Sequence, residues 1–224
     1  MKNMPKETLA MLLKGWEWSE RQHEIPFLFN HLPEPPSKIL DVGCCYSAVL
    51  TVLDELGYDA WGIDMQKYHK PYDKFKVADA RKTPFNDNEF DVTCSISVIE
   101  HAGLVPTPYH TDTVEDSDAD IKIFNEMVRI TKPDGKIIIT IPYGLGNTNL
   151  YHWVRFYDKQ RVNRFLSNKQ FVLDEIEYAY CTDKTDGGGD ATAWHICDEQ
   201  IASIQKSLPS KVMANVCFVG HKKL

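Results

Sequence analysis

The sequence predicts an α/β fold: a mostly parallel, Rossmann-like central sheet with helices on both faces and an antiparallel edge. Two observations carry that expectation. Between Lys38 and Ile141, short apolar runs alternate with amphipathic stretches in a strand–helix rhythm, and such alternation builds parallel sheets joined by right-handed crossovers. Past Tyr143 the rhythm changes, and two late strand-like runs follow without a convincing helical crossover.

Each element has its own signal. Leu9, Leu12, Leu13, Trp16 and Ile25 recur at helical spacing, so Met4 to about Glu24 reads as an amphipathic helix. The proline-rich HLPEPPSK stretch that follows suits neither helix nor central strand. Lys38–Val42 reads as a buried strand, Ala48–Leu56 as a helix stopped at Gly57, and Asp59–Asp64 as a second strand. Phe75–Asp79 and Phe90–Ile96 give strands three and four. A helix over Ile121–Thr131 follows, with Asp118 or Asp120 as its cap, then a turn at Lys132–Gly135. Lys136–Ile141 is apolar enough to be a strand buried on both faces. Asp158 is placed to cap a short helix through Leu166. Phe171–Tyr180 and Val212–Val219 read as strands, with a Gly187–Gly189 loop and a helix around Ala193–Ser207 between them. Residues 1–36 are expected to form a helical cover and linker on a single domain spanning 37–224.

Composition narrows the function. The chain has 224 residues, 43% hydrophobic and 25% charged, which suits one sizeable core and excludes disordered, collagen-like or coiled-coil classes. A net charge of −7 argues against nucleic acid as partner, because phosphate binding needs a surplus of Lys and Arg. The opening stretch is too charged for a signal peptide, and no apolar run approaches the roughly 20 residues of a membrane span. The six cysteines form no CxxC pair, which points to reduced thiols in the cytoplasm rather than zinc or disulfides.

In open α/β sheets, ligands bind at the carboxyl ends of the strands. Three features fall there. Asp41-Val42-Gly43-Cys44-Cys45-Tyr46-Ser47 joins strand one to its helix, where Gly43 permits a tight turn and close ligand approach, and helix N–H groups suit an anionic group. Asp64 ends strand two about twenty residues later, where a carboxylate can accept both ribose hydroxyls of a nucleoside. Asp79-Ala80 ends strand three, in reach of an adenine amino group. NAD needs a GxGxxG turn around its pyrophosphate, and Cys45 and Tyr46 are not glycine. S-adenosylmethionine (SAM) has no phosphate and tolerates a less open turn.

These motifs resemble those of the class I SAM-dependent methyltransferases, particularly the small-molecule branch called type 11, over Lys38 to Pro142. ILDVGCC is similar to the first family motif, with Cys45 and Ser47 where glycines are expected, and GIDMQ to the acidic second motif. ADARKTPFNDNEFDVTCSISVIEH and EMVRITKPDGKIIITIP resemble the later motifs. The resemblance implies that Gly43 and the backbone around Cys44 line the methionine portion of SAM, that Asp64 holds the ribose, that Asp79 and Ala80 frame the adenine, and that Ser95, Ile96 and Ser97 lie beside the sulfonium. Asp41 and Met65 are expected among the cofactor-binding residues. A fainter likeness to polysaccharide and glycoconjugate methyltransferases implies O-methylation of a sugar or glycan precursor.

His101 follows strand four and is the first candidate for a catalytic base; His110, on the next loop, is the second. Loop ordering is the alternative role for Glu100-His101. The loop Pro106–Asp120 holds Asp112, Glu115, Asp116, Asp118 and Asp120 without a Lys or Arg. It reads as a solvated lid, a helix start, or a divalent-metal site for which Mg²⁺ is the candidate. Tyr151, Trp153, Phe156 and Tyr157 either cover an acceptor pocket or belong to the core. Ile141-Pro142-Tyr143 follows strand five rather than four and lacks the Asn or Asp of nucleic-acid amino methyltransferases. Two rival readings stand beside the enzyme: a non-catalytic SAM-binding scaffold, and a nicotinamide-dependent oxidoreductase.

Overall fold

Ile137, Ile139 and Ile141 face one side of the sheet while Ile138 faces the other, and all four are fully buried. This period-two alternation with both faces apolar is the signature of a central strand covered by helices on each side. The computed structural model describes residues 8, 12, 19–105, 115–145, 152–182, 193–207 and 211–224. His110, Asp112, Tyr151, the Gly187–Gly189 loop and most of the expected first helix lie outside the described residues, although Leu12 is buried.

The described elements, in order, are α1 (Arg21–His31), β1 (Lys38–Val42), α2 (Val49–Glu55), β2 (Asp59–Asp64), β3 (Phe75–Val77) and β4 (Phe90–Ile96). A 3-10 turn (Ile99–His101) leads to α3 (Ala119–Ile130) and β5 (Thr131–Pro142). Then come α4 (Lys159–Leu166), β6 (Phe171–Thr182), β7 (Ala193–Cys197), α5 (Glu199–Ser203) and β8 (Ala214–Lys222). They form one eight-stranded sheet in the order β3-β2-β1-β4-β5-β8-β6-β7. The first five strands are parallel, and β8, β6 and β7 add the antiparallel edge. The chain runs outward from β1 in one direction and returns to β4 on its other side, so a crevice opens between the carboxyl ends of β1 and β4.

Each face has its own core. Ile25, Phe27 and Leu28 of α1 and Val49, Leu50, Val52 and Leu53 of α2 pack on Ile39, Val92 and Ile138. Ile123, Phe124 and Met127 of α3 and Val162 and Phe165 of α4 pack on Leu40, Ile137, Ile139 and Phe218. Full burial of each such side chain contributes on the order of 1.5–3 kcal/mol before entropy is counted.

Three expectations need correction. Ala193–Cys197 is a strand, not the start of a helix, and only Glu199–Ser203 is helical beyond it. The alternating Ala-Trp-His-Ile-Cys run pairs with Tyr178–Thr182, and that ladder decides its state. Lys132–Gly135 is not a turn ahead of the fifth strand but an irregularity inside it. Pairing with β4 skips from Phe90↔Thr131 to Val92↔Lys136, with Asp134 at φ +60°. Finally, α1 continues to His31, well past Glu24, because Ile25, Phe27 and Leu28 bury against the sheet even with Pro26 inside the helix.

The cap assignments divide. Asp158 accepts from the Arg161 N–H and caps α4 as expected. Asp118 holds the N-cap position of α3, but its carboxylate takes Arg164 at 2.7 Å instead of a helix N–H.

Candidate active site

A cavity of about 640 Å³ opens at the carboxyl ends of the parallel strands. The tips of β1, β2 and β3 and the segment after β4 all reach it: Asp41, Gly43, Asp64, Met65, Asp79, Ala80, Ile96, Ser97 and His101 are on its wall. Cys44 and Ser95 are not. Cys44 is fully buried, its thiol turned toward the Ile63 carbonyl, and Ser95 is fully buried with its hydroxyl unpartnered. Gly43, next to Cys44, and Ile96, next to Ser95, do line the cavity.

Gly43 sits at φ +81°, and a Cβ there would lie 2.2 Å from Val98 Cγ1. The β1 turn therefore presses against the strand-four loop at a separation only glycine permits. Ser47, just ahead of the Ala48 N-cap of α2, accepts from the Val49 N–H at 3.1 Å. Tyr46 is 67% exposed at the rim, and Cys45 donates its thiol to the Gln66 carbonyl. Neither fills the crevice.

The carboxylates differ in their tasks. Asp64 accepts from the backbone N–H groups of Cys45 (3.0 Å) and Gln66 (2.9 Å), which ties the β1 and β2 loops together. Each oxygen retains a second lone pair for a ligand hydroxyl. Asp79 is gripped by Arg81 through Nε and a terminal nitrogen at 2.7–3.0 Å. Asp41 is buried, and its Oδ2 has no hydrogen-bond partner. Burial, opposed by Arg21 and helped by the Asp64 charge, pushes its carboxyl up to about 7.

The inner wall comes from α1 and the 3-10 turn. Arg21 donates to Glu24 (3.0 Å) and to the Ile96 carbonyl (2.9 Å). Ser97, held at φ +50°, donates its hydroxyl to Glu24 at 2.5 Å and its N–H to Thr140. Glu100 is buried with Oε2 unpartnered, and burial drives its carboxyl well above the usual range. His101 bonds through Nδ1 to the Trp153 carbonyl at 2.8 Å. A carbonyl only accepts, so Nδ1 carries the proton and Nε2 of the neutral ring keeps its lone pair. That nitrogen lies 3.8 Å from Glu100 Oε1.

The aromatic cluster splits. Trp153 and Phe156 are on the cavity wall, whereas Tyr157 is core, its hydroxyl donating to Asp120. The acidic stretch finds its cations elsewhere in the chain. Buried Asp120 takes Arg161 at 2.6 Å, Asp118 takes Arg164, and Asp116 takes Lys122 at 2.7 Å. Among the described residues no group of three or more potential ligands is arranged to hold a metal ion. The sequence reading missed Glu20 and Arg21 as wall residues and Glu24 as the buried acceptor behind Ser97. Only the i,i+3 spacing of Arg21 and Glu24 hinted at a pair, and nothing local placed it against Ile96.

An open parallel sheet with carboxylates at the tips of β1, β2 and β3 around one crevice has the architecture of a Rossmann-like methyltransferase fold. The family model described as a methyltransferase domain matches residues 40–139. "Phosphoethanolamine N-methyltransferase 2" of Caenorhabditis elegans is 28% identical over 154 residues, covering 63% of this chain and 31% of that protein. An uncharacterised protein of Methanocaldococcus jannaschii is 26% identical over 144 residues, covering 63% of this chain and 56% of the other. The chain thus spans about a third to just over half of these relatives. A SAM-dependent methyltransferase structure from Methanosarcina mazei is 17% identical, with TM-score 0.58 and coverage of 89% of this chain and 98% of that one, and it shares the fold. Among the described residues no helix is long and apolar enough to cross a membrane.

Proposed function

We propose that the chain binds SAM across the tips of β1, β2 and β3 and methylates a hydroxyl of a small-molecule acceptor, a sugar or glycan precursor. The observation that carries this is the unpartnered, buried Asp41 Oδ2 on the same cavity wall as Gly43, Asp64 and Asp79-Ala80. An orphaned carboxylate oxygen there suits an α-ammonium, Asp64 has lone pairs for ribose hydroxyls, and the Asp79-Ala80 backbone borders a place for adenine. When bound, SAM supplies an electrophilic methyl group on a positively charged sulfur.

The protein's own part is positional and basic. Ile96 and Ser97 border the crevice beside Asp41, and Ser97 is fixed by Glu24 and Thr140. His101 Nε2 takes the hydroxyl proton as the acceptor oxygen becomes nucleophilic, and the Trp153 carbonyl holds the ring in the required tautomer. Trp153 and Phe156 offer flat faces on which a sugar ring stacks. The likeness to the nematode phosphoethanolamine N-methyltransferase supports small-molecule methyl transfer. Six free cysteines support a reducing, cytoplasmic setting. Ser19, Glu20 and Arg21 on the wall support treating residues 1–36 as a cover that completes the site of 37–224.

Calorimetry with SAM and S-adenosylhomocysteine tests the reading. Saturable binding is expected, weakened about 10- to 100-fold by Asp64→Ala, in line with loss of charge-assisted hydrogen bonds. No heat from folded protein at millimolar ligand rejects it.

A further inference from the structure

Glu100 is 2% exposed, lies on the wall of the cavity, and leaves Oε2 without a hydrogen-bond partner. Around it stand Glu20, also on the wall, and Glu24, fully buried behind Ser97. Arg21 is the cation from α1 that answers these carboxyls, and it is committed to Glu24 and the Ile96 carbonyl. Arg81 and Lys211 also border the cavity, but Arg81 is clasped by Asp79. The inner wall beside His101 therefore carries more acid than base.

We infer that the acceptor bears a protonated amine and that Glu100 receives it as the specificity-determining residue. The inference rests on the methyltransferase reading above and names the chemistry of its second substrate. A buried carboxyl oxygen left unpaired is costly, and an ammonium offers both donors and compensating charge. A neutral hydroxyl offers a donor without the charge. The competing occupant, the α-ammonium of SAM, has its own orphaned oxygen at Asp41 on the β1 tip. Glu100 instead stands 3.8 Å from the His101 ring nitrogen, on the acceptor side. Burial, together with the charges of Glu24 and Glu20 and against that of Arg21, raises the Glu100 carboxyl above the ordinary range, and a cation seated beside it would act against that shift.

The test uses matched probes on the S-adenosylhomocysteine complex of the full chain: glucosamine against glucose, and ethanolamine against ethylene glycol. Calorimetry should show the amine of at least one pair binding about tenfold or more tightly than its neutral partner. Glu100→Gln should reduce that preference to within about twofold while S-adenosylhomocysteine affinity is retained, which also shows that the variant is folded. Equal affinity within both pairs, no binding of any probe, or a preference that survives in Glu100→Gln overturns the inference. If S-adenosylhomocysteine itself does not bind, the methyltransferase reading fails separately, and the same titrations on the unliganded chain still decide the role of Glu100.

Discussion

His101 and Trp153 are joined twice: the imidazole Nδ1 donates to the Trp153 carbonyl at 2.8 Å, and its ring stacks on the indole at 5.5 Å between centroids, 21° from parallel. Arg155 reinforces the junction by donating its N–H to the Glu100 carbonyl at 2.9 Å. The segment after β5 thus fixes the tautomer and the direction of the ring that ends the strand-four loop.

His101→Ala should cost about 10²- to 10⁴-fold in turnover with cofactor affinity unchanged, the usual range for loss of a general base. His101→Asn places an amide N–H near the Nδ1 position and so preserves a donor to the Trp153 carbonyl but supplies no base, so it should be equally slow. Steady-state rates beside calorimetry separate the effects. Full activity in the Asn variant removes His101 as base and leaves it an orienting role.

Asp41 gives the unliganded protein a pH dependence whose sign follows from linkage. Its folded carboxyl is raised to about 7 from an ordinary 3.8. Between those values the folded state holds a proton that the unfolded chain has lost, so stability falls as pH rises through the window and levels off above it. Glu20 and Glu100, raised chiefly by burial, act in the same direction. Glu89, Asp91 and Glu126 are lowered by their partners, so their stabilisation is lost only below the ordinary carboxylate range. Thermal denaturation from about pH 5 to 8 should show a declining midpoint for the wild type and a shallower decline for Asp41→Asn. Identical slopes would refute the assignment.

Gly43 tests the closeness of the β1 turn to the strand-four loop. Gly43→Ala adds a Cβ at φ +81° and 2.2 Å from Val98 Cγ1, so a loss of about 1–3 kcal/mol is expected. Val98→Ala in the same chain relieves the clash but not the backbone strain. Denaturant unfolding of both single variants and the double variant should therefore show partial rescue, and strict additivity would place the cost elsewhere.

The parallel half of the sheet was readable because each strand states its case locally. Lys38–Val42, Asp59–Asp64 and Phe90–Ile96 are apolar, short and bounded by turn residues, and their limits match the structure. The strand tips followed from the same reading, which is why Asp41, Gly43, Asp64 and Asp79 fall on one cavity. What failed depends on contacts made across the chain. Ala193–Cys197 is a strand through pairing with β6, and Cys44 and Ser95 are buried off the cavity wall by the packing around them. Glu24 reaches Ser97 across 73 residues of sequence, a proximity no local pattern encodes.

A crystal structure with S-adenosylhomocysteine bound tests the central claim most directly. The account predicts its ammonium at Asp41 Oδ2, its ribose hydroxyls on the Asp64 carboxylate and its adenine beside Asp79-Ala80, with its sulfur facing His101. A ligand seated away from the β1–β3 tips, or one that leaves Asp41 and Asp64 untouched, would contradict it.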